Sequence, residues 1–238
     1  MKVVRRGYLP EYEVLFKKEE NLIKLKEAAK DCLYLLNRGY RIKTASCFVQ
    51  QHYMLQETQR LALARSLATD KDLENRKKTQ LHKEDLKGKE VWIDGFNAII
   101  PMESLLSESP LFVCMDGAIR DMANLKGSYH IIDKTEGAIR LILSKLDELG
   151  VAKANIHIDK PVSNSGRLKA LIYEIGEEYK VELNVELLDA VDKSLYNKEN
   201  VISGDCVVID NAISWIPLYA WIVEDYEKEH NVWKVELI

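Results

Sequence analysis

The chain has 238 residues, 47% hydrophobic and 30% charged, with 11 Gly and 5 Pro. That length supports a real core and one or two domains, and the composition excludes collagen-like, low-complexity and globally disordered classes. The net charge of −4 conceals an asymmetry: residues 1–90 hold 20 Lys and Arg against 13 Asp and Glu, and the remainder 14 against 25. Opposed charge in the two parts points to two regions with different tasks.

In chain order, the opening MKVVRRGYLPEYEV has basic residues but no apolar stretch behind them. No later run reaches the ~20 apolar residues of a membrane span, so the expectation is a cytoplasmic protein with no membrane partner. Residues 19–38 place Leu22, Ile23, Leu25, Ala29, Cys32, Leu33 and Leu36 at helical spacing, with Gly39 as a stop. Further helices are expected over 44–53 and 56–68. Together these segments read as a small helical domain, 1–67, resembling a helix-turn-helix, with Gln56, Gln59, Arg60 and Arg65 on an exposed face. A plain helical bundle with a solvated polar face is the competing reading. Residues 68–88 lose the apolar period, mix charges of both signs and read as a linker.

From Lys89 the texture changes. EVWID (90–94), LFVCM (111–115), NIHID (155–159), VELNVEL (181–187) and CVVID (206–210) read as strands, and 135–149 and 165–179 as helices between them. This alternation predicts an α/β domain over 89–238, a three-layer α/β/α sandwich with a mostly parallel sheet. Cys32, Cys47, Cys114 and Cys206 lie in apolar runs without zinc spacing and read as reduced core thiols.

The aspartates fall at strand ends. Asp94, Asp159 and Asp210 close their runs, Asp116 follows LFVCM, and Asp205 precedes CVVID. In a parallel sheet the carboxyl ends of the strands share one edge, so these side chains converge on one crevice. Carboxylates gathered there call for protons or a hard divalent cation, Mg²⁺ or Mn²⁺. The competing reading of each aspartate is a helix cap or turn residue. His157, alternating with isoleucines in a strand, reads as structural, and Trp215, Tyr219, Trp221 and Trp233 as core or the surface of a homodimer.

The residues I-D-G-F-N (93–97), V-I-S-G-D (201–205), A-V-D-K-S-L (190–195) and I-H-I-D-K-P-V-S (156–163) resemble, in order and spacing, PIN-like and NYN-like nuclease domains. With L-L-N-R-G-Y (35–40) ahead of them, the whole chain resembles a mostly archaeal two-domain family of unknown function. The resemblance implies a PIN-like sandwich and a metal-dependent phosphodiesterase acting on nucleic acid, usually RNA. It implies Asp94, Asp192 and Asp205 as metal ligands, with Asn97 and Ser203 orienting them or a water. The fourth acidic ligand stays open between Asp116 and Glu136. Lys160, Arg167 and Lys193 are candidate phosphate contacts beside the crevice, and Arg60 one in the helical region.

Two rivals stand beside the ribonuclease reading. One is a non-catalytic, nucleic-acid-binding regulatory protein that retains a PIN-like domain. The other is a small-molecule phosphohydrolase, which would need a second aspartate two positions after Asp94, where Phe96 stands.

Overall fold

The computed structural model describes residues 4–123 and 127–238. Helices α1 (Tyr12–Lys17), α2 (Glu19–Asn37), α3 (Ile42–His52), α4 (Glu57–Ser66) and α5 (Asp70–Thr79) form the helical region. They are followed by β1 (Glu90–Asp94), α6 (Gly95–Leu106), β2 (Leu111–Val113), β3 (Ile119–Arg120), α7 (Thr135–Glu148), β4 (Lys153–Asp159), α8 (Ser165–Gly176) and β5 (Glu182–Leu188). Then come α9 (Val191–Leu195), β6 (Val201–Ile202), α10 (Cys206–Asn211), α11 (Leu218–Tyr226) and β7 (Lys234–Glu236).

The main sheet is parallel with strand order β5-β4-β1-β6, which establishes the α/β class. A strand's side chains alternate between faces. Val91, Ile93, Ala154, Ile156, Ile158 and Val185 enter the apolar face beneath α6, α7 and α8. The other face is mixed: Trp92 and Val201 pack with Val191 and Leu195, while Asn155 donates to Glu90 at 2.7 Å and Asn184 donates to Asn155 at 3.0 Å. Short α9 covers part of it, tied down by a 2.7 Å hydrogen bond between His157 Nδ1 and Ser194 Oγ. Ser194 itself donates to the Val191 carbonyl, so His157 is the donor in that pair. The histidine is buried and structural, as expected.

Two of the expected strands are corrected. LFVCM supplies β2, but β2 belongs to a separate small sheet of order β3-β2-β7. CVVID is helix α10, because the Asp205 side chain accepts from the Val207 N–H and starts a helical turn; Asp210 therefore lies on a helix and pairs with Arg76 at 2.7 Å. Strand β6 is the two-residue Val201–Ile202 just before it.

The stretch expected as a linker contains α5, whose Thr69 cap accepts from the Asp72 N–H. Residue Leu81 then donates its N–H to the Trp215 carbonyl, and Trp215 Nε1 donates to the Arg76 carbonyl. The helical region and the small sheet share one core: Phe16, Leu25, Cys32 and Leu63 are clustered with Phe112, Met122, Val235 and Leu237. Trp215, Tyr219 and Trp221 are buried in the chain and belong to its core, and Trp233 is half-buried with Lys17 4.0 Å over its ring. Cys32 and Cys114 are buried as expected, whereas Cys47 is half-buried and Cys206 exposed.

Candidate functional site

Strand β1 delivers Asp94 to the carboxyl edge of the sheet, and the same residue caps α6. Its carboxylate accepts from the Asn97 N–H at 3.3 Å and from Asn97 Nδ2 at 2.6 Å. Gly95 has a steric purpose: a Cβ there would stand 2.9 Å from the His157 carbonyl oxygen, so only glycine lets α6 begin this close to β4.

Strand β6 runs beside β1 with Ile202 level with Ile93, which brings Ser203 next to Asp94. Ser203 Oγ donates to Asp94 at 3.4 Å and accepts the Asp205 N–H at 3.1 Å. Thus D-G-x-N and S-x-D, with Asp94 and Ser203 109 positions apart, meet at one point. Arg120 Nε donates to the Gly204 carbonyl at 2.6 Å and secures the intervening turn.

Asp94 is 2% exposed. Burial, reinforced by Asp192 and Asp159, pushes its carboxyl up to about 7 against the pull of the Asn97 hydrogen bonds. Burial and Asp192 raise Asp159, and burial and Asp205 raise Asp192. These four carboxylates therefore share one electrostatic neighbourhood. The three expected ligands occupy that edge without converging: among the described residues no three His, Cys, Asp or Glu side chains are gathered to hold one ion.

Neither candidate for the fourth acid belongs to this group. Asp116 is buried between Arg76 (2.7 Å) and Arg120 (2.6 Å). Burial pushes its carboxyl up, but the two guanidiniums overcome that and leave it below the usual range. Sequence alone does not separate it from a strand-end ligand, since its neutralising partners are 40 and 4 residues away. Glu136 is exposed on the first turn of α7 and pairs with Arg140 at 3.0 Å. Asp159 is the additional acid within electrostatic reach of Asp94.

The basic candidates divide by position. Lys160 and Lys193 are exposed beside Asp159 and Asp192, and Arg167 is exposed at the start of α8. Arg60 pairs with Glu57 on its own helix, and buried Gln59 forms a capping box with Gln56, so α4 does not present the free polar face expected of it. Arg65 instead turns toward the α/β domain. It lines a cleft of about 290 Å³ together with Phe96, Asn97, Ile100, Arg120, Asp121 and Asp205. None of Lys160, Arg167, Lys193 and Arg60 lines that cleft. The contribution of Arg65 depends on how α4 docks on the sheet edge, which sequence periodicity does not encode.

Fold and site define an α/β protein whose acidic sheet edge adjoins, through Asp205, a cleft lined in part by Ala64 and Arg65 of the helical region. Residues 83–221 match the family described as "Domain of unknown function (DUF5616)", and residues 24–79 match "Protein of unknown function (DUF434)". The chain belongs to the DUF5616 family. It is 35% identical over 207 residues to an uncharacterized protein of Methanocaldococcus jannaschii, covering 86% of this chain and 99% of that one. No solved structure matches it. No helix among the described residues is long and apolar enough to cross a membrane.

Proposed function

We propose that the protein is a metal-dependent nuclease with a PIN-like domain, acting on RNA in the cytoplasm. The observation that carries this reading is the meeting of Asp94, Asn97, Ser203 and Asp205 at one sheet edge, with Asp94 buried among acidic neighbours. The donor chemistry fits Mg²⁺ or Mn²⁺: hard carboxylate oxygens whose mutual repulsion a divalent cation relieves.

Asp94, Asp192 and Asp205 would hold the ion, which when bound lowers the pKa of a water and polarises a phosphodiester. Asn97 fixes the Asp94 carboxylate in one orientation, and Ser203 links it to the turn that carries Asp205. Asp192 lies exposed on a short helix, close enough for its charge to act on Asp94 and Asp159. Lys160 and Lys193 supply positive charge at the rim for the flanking phosphates.

A second reading, a nucleic-acid-binding protein without catalysis, is favoured by one specific finding. Asp94 and Asp205 each already cap a helix, and among the described residues no three acids are gathered. The deciding experiment is cleavage of single-stranded RNA by the full chain with Mn²⁺. The nuclease reading expects cleavage that falls at least ~1,000-fold in Asp94→Asn and Asp205→Asn with folding retained. Wild-type-like cleavage by both variants overturns it, and so does RNA binding by the wild type with no cleavage.

A further inference from the structure

The cleft beside Asp205 has a guanidinium on its far wall with unused donors. Arg65 closes α4; its Nη1 donates to the Asp121 carbonyl and lies 3.7 Å from the Met122 sulfur. Its Nε and Nη2 have no hydrogen-bond partner among the described residues. Arg120, the cleft's other guanidinium, is committed to Gly204, Asp116 and the Arg65 carbonyl. Arg65 is thus the group on this wall available to an anion.

Besides Arg65 and Asp205, the cleft lining includes the apolar residues Phe96, Ile100, Pro101 and Ile119. Pro101 has no N–H to donate to the Asn97 carbonyl one turn back, which leaves an acceptor uncommitted in the first turn of α6. Asp121 adds a carboxylate, one oxygen of which accepts the Ala123 N–H at 2.6 Å. A volume of about 290 Å³ lies at the small end of organic ligand sites, ~300–1,000 Å³. A ligand satisfying these walls carries an anionic group, a flat apolar body and hydrogen-bond donors on its edge.

We infer that this cleft is a nucleotide subsite shared between the helical region and the α/β domain, with Arg65 holding a phosphate and the apolar lining of Phe96, Ile100 and Pro101 taking the base. This deepens the nuclease reading and takes its ligand class from it. The helical region then contributes a wall of the site, in place of the exposed polar face expected from its sequence. A forked guanidinium suits this role, since its planar donors match phosphate oxygens.

The test is calorimetric titration of the full chain in EDTA with AMP, CMP, GMP and UMP in turn, with adenosine and inorganic phosphate as controls. At least one nucleotide is expected to bind ~10-fold tighter than either control. Arg65→Met is expected to weaken that nucleotide ~10-fold or more, while Arg60→Met leaves it unchanged. Binding by none of the four, or equal affinity in Arg65→Met, overturns the subsite. Should Arg65→Met fail to fold, amide spectra of the wild type decide: shifts at Asn97 and Ala123 on titration support the subsite, and their absence overturns it.

The two readings fail separately. Nucleotide binding that needs Arg65, without Mn²⁺-dependent cleavage, removes the nuclease and keeps the subsite. Cleavage that needs Asp94 and Asp205 but is indifferent to Arg65, with no nucleotide bound, does the reverse.

Discussion

Arg120 Nε donates to the Gly204 carbonyl at 2.6 Å, and the same guanidinium pairs with Asp116 at 2.6 Å. A buried acid outside the candidate site thereby fixes the turn that presents Asp205. Removing one member of a buried ion pair leaves an uncompensated charge and costs ~3–5 kcal/mol. Asp116→Asn is expected to lose stability of that order in urea unfolding. A variant within ~0.5 kcal/mol of wild type would show that Arg76 and Arg120 do not depend on this carboxylate.

Asp94→Asn leaves the start of α6 intact, because asparagine also caps helices well. It also removes a buried carboxylate that its surroundings disfavour. The expected thermal midpoint at pH 8 is at or above that of wild type, alongside the loss of cleavage. A large fall in the midpoint would mean that the charge stabilises the fold.

Gly95→Ala places a methyl group 2.9 Å from the His157 carbonyl oxygen and equally near an Ile158 side-chain carbon. Overpacking of this kind costs ~1–3 kcal/mol. Denaturant titration reads the loss directly, and a neutral result would mean that α6 can slide away from β4.

The His157–Ser194 bond anchors α9, which carries Asp192. His157→Ala is expected to cost ~1–3 kcal/mol. It should accelerate hydrogen exchange in residues 191–195 and lower cleavage more than nucleotide affinity. Unchanged exchange there would assign the anchoring of α9 to its apolar contacts.

Burial pushes the Asp121 carboxyl up to about 6, with Arg65 opposing. Between pH 4 and 6 the folded chain keeps a proton that the unfolded chain has released, so this residue's contribution to stability falls as pH rises. Against Asp121→Asn, the wild type is expected to lose on the order of 2 kcal/mol across that window. Asp94 titrates with the same sign in both proteins, so the difference between them isolates Asp121. Parallel stability curves would refute the shift.

The parts of the site set by strand ends were legible in the sequence. Asp94 and Ser203 meet because β1 and β6 are parallel neighbours; the hydrophobic pattern marks β1, whereas V-I-S-G-D stands out only through the family resemblance. The misreadings share a physical cause. CVVID has strand composition, but a cap at Asp205 outweighs it, and LFVCM-D looks like the other strand ends although its sheet is separate. Pairings such as Asp116 with Arg76, and the turn of Arg65 into the cleft, depend on docking between elements distant in sequence.

Strand β7 pairs with β2, while Val235 and Leu237 sit in the core of the helical region. Material from both sides of the charge divide therefore fills a single interior. Heating or denaturant should melt helical region and sheet in one cooperative transition, with tryptophan fluorescence and helical circular dichroism changing together. Excising residues 1–88 would strip the cover from Phe112 and Val235, so such a fragment would report on unfolding more than on recognition.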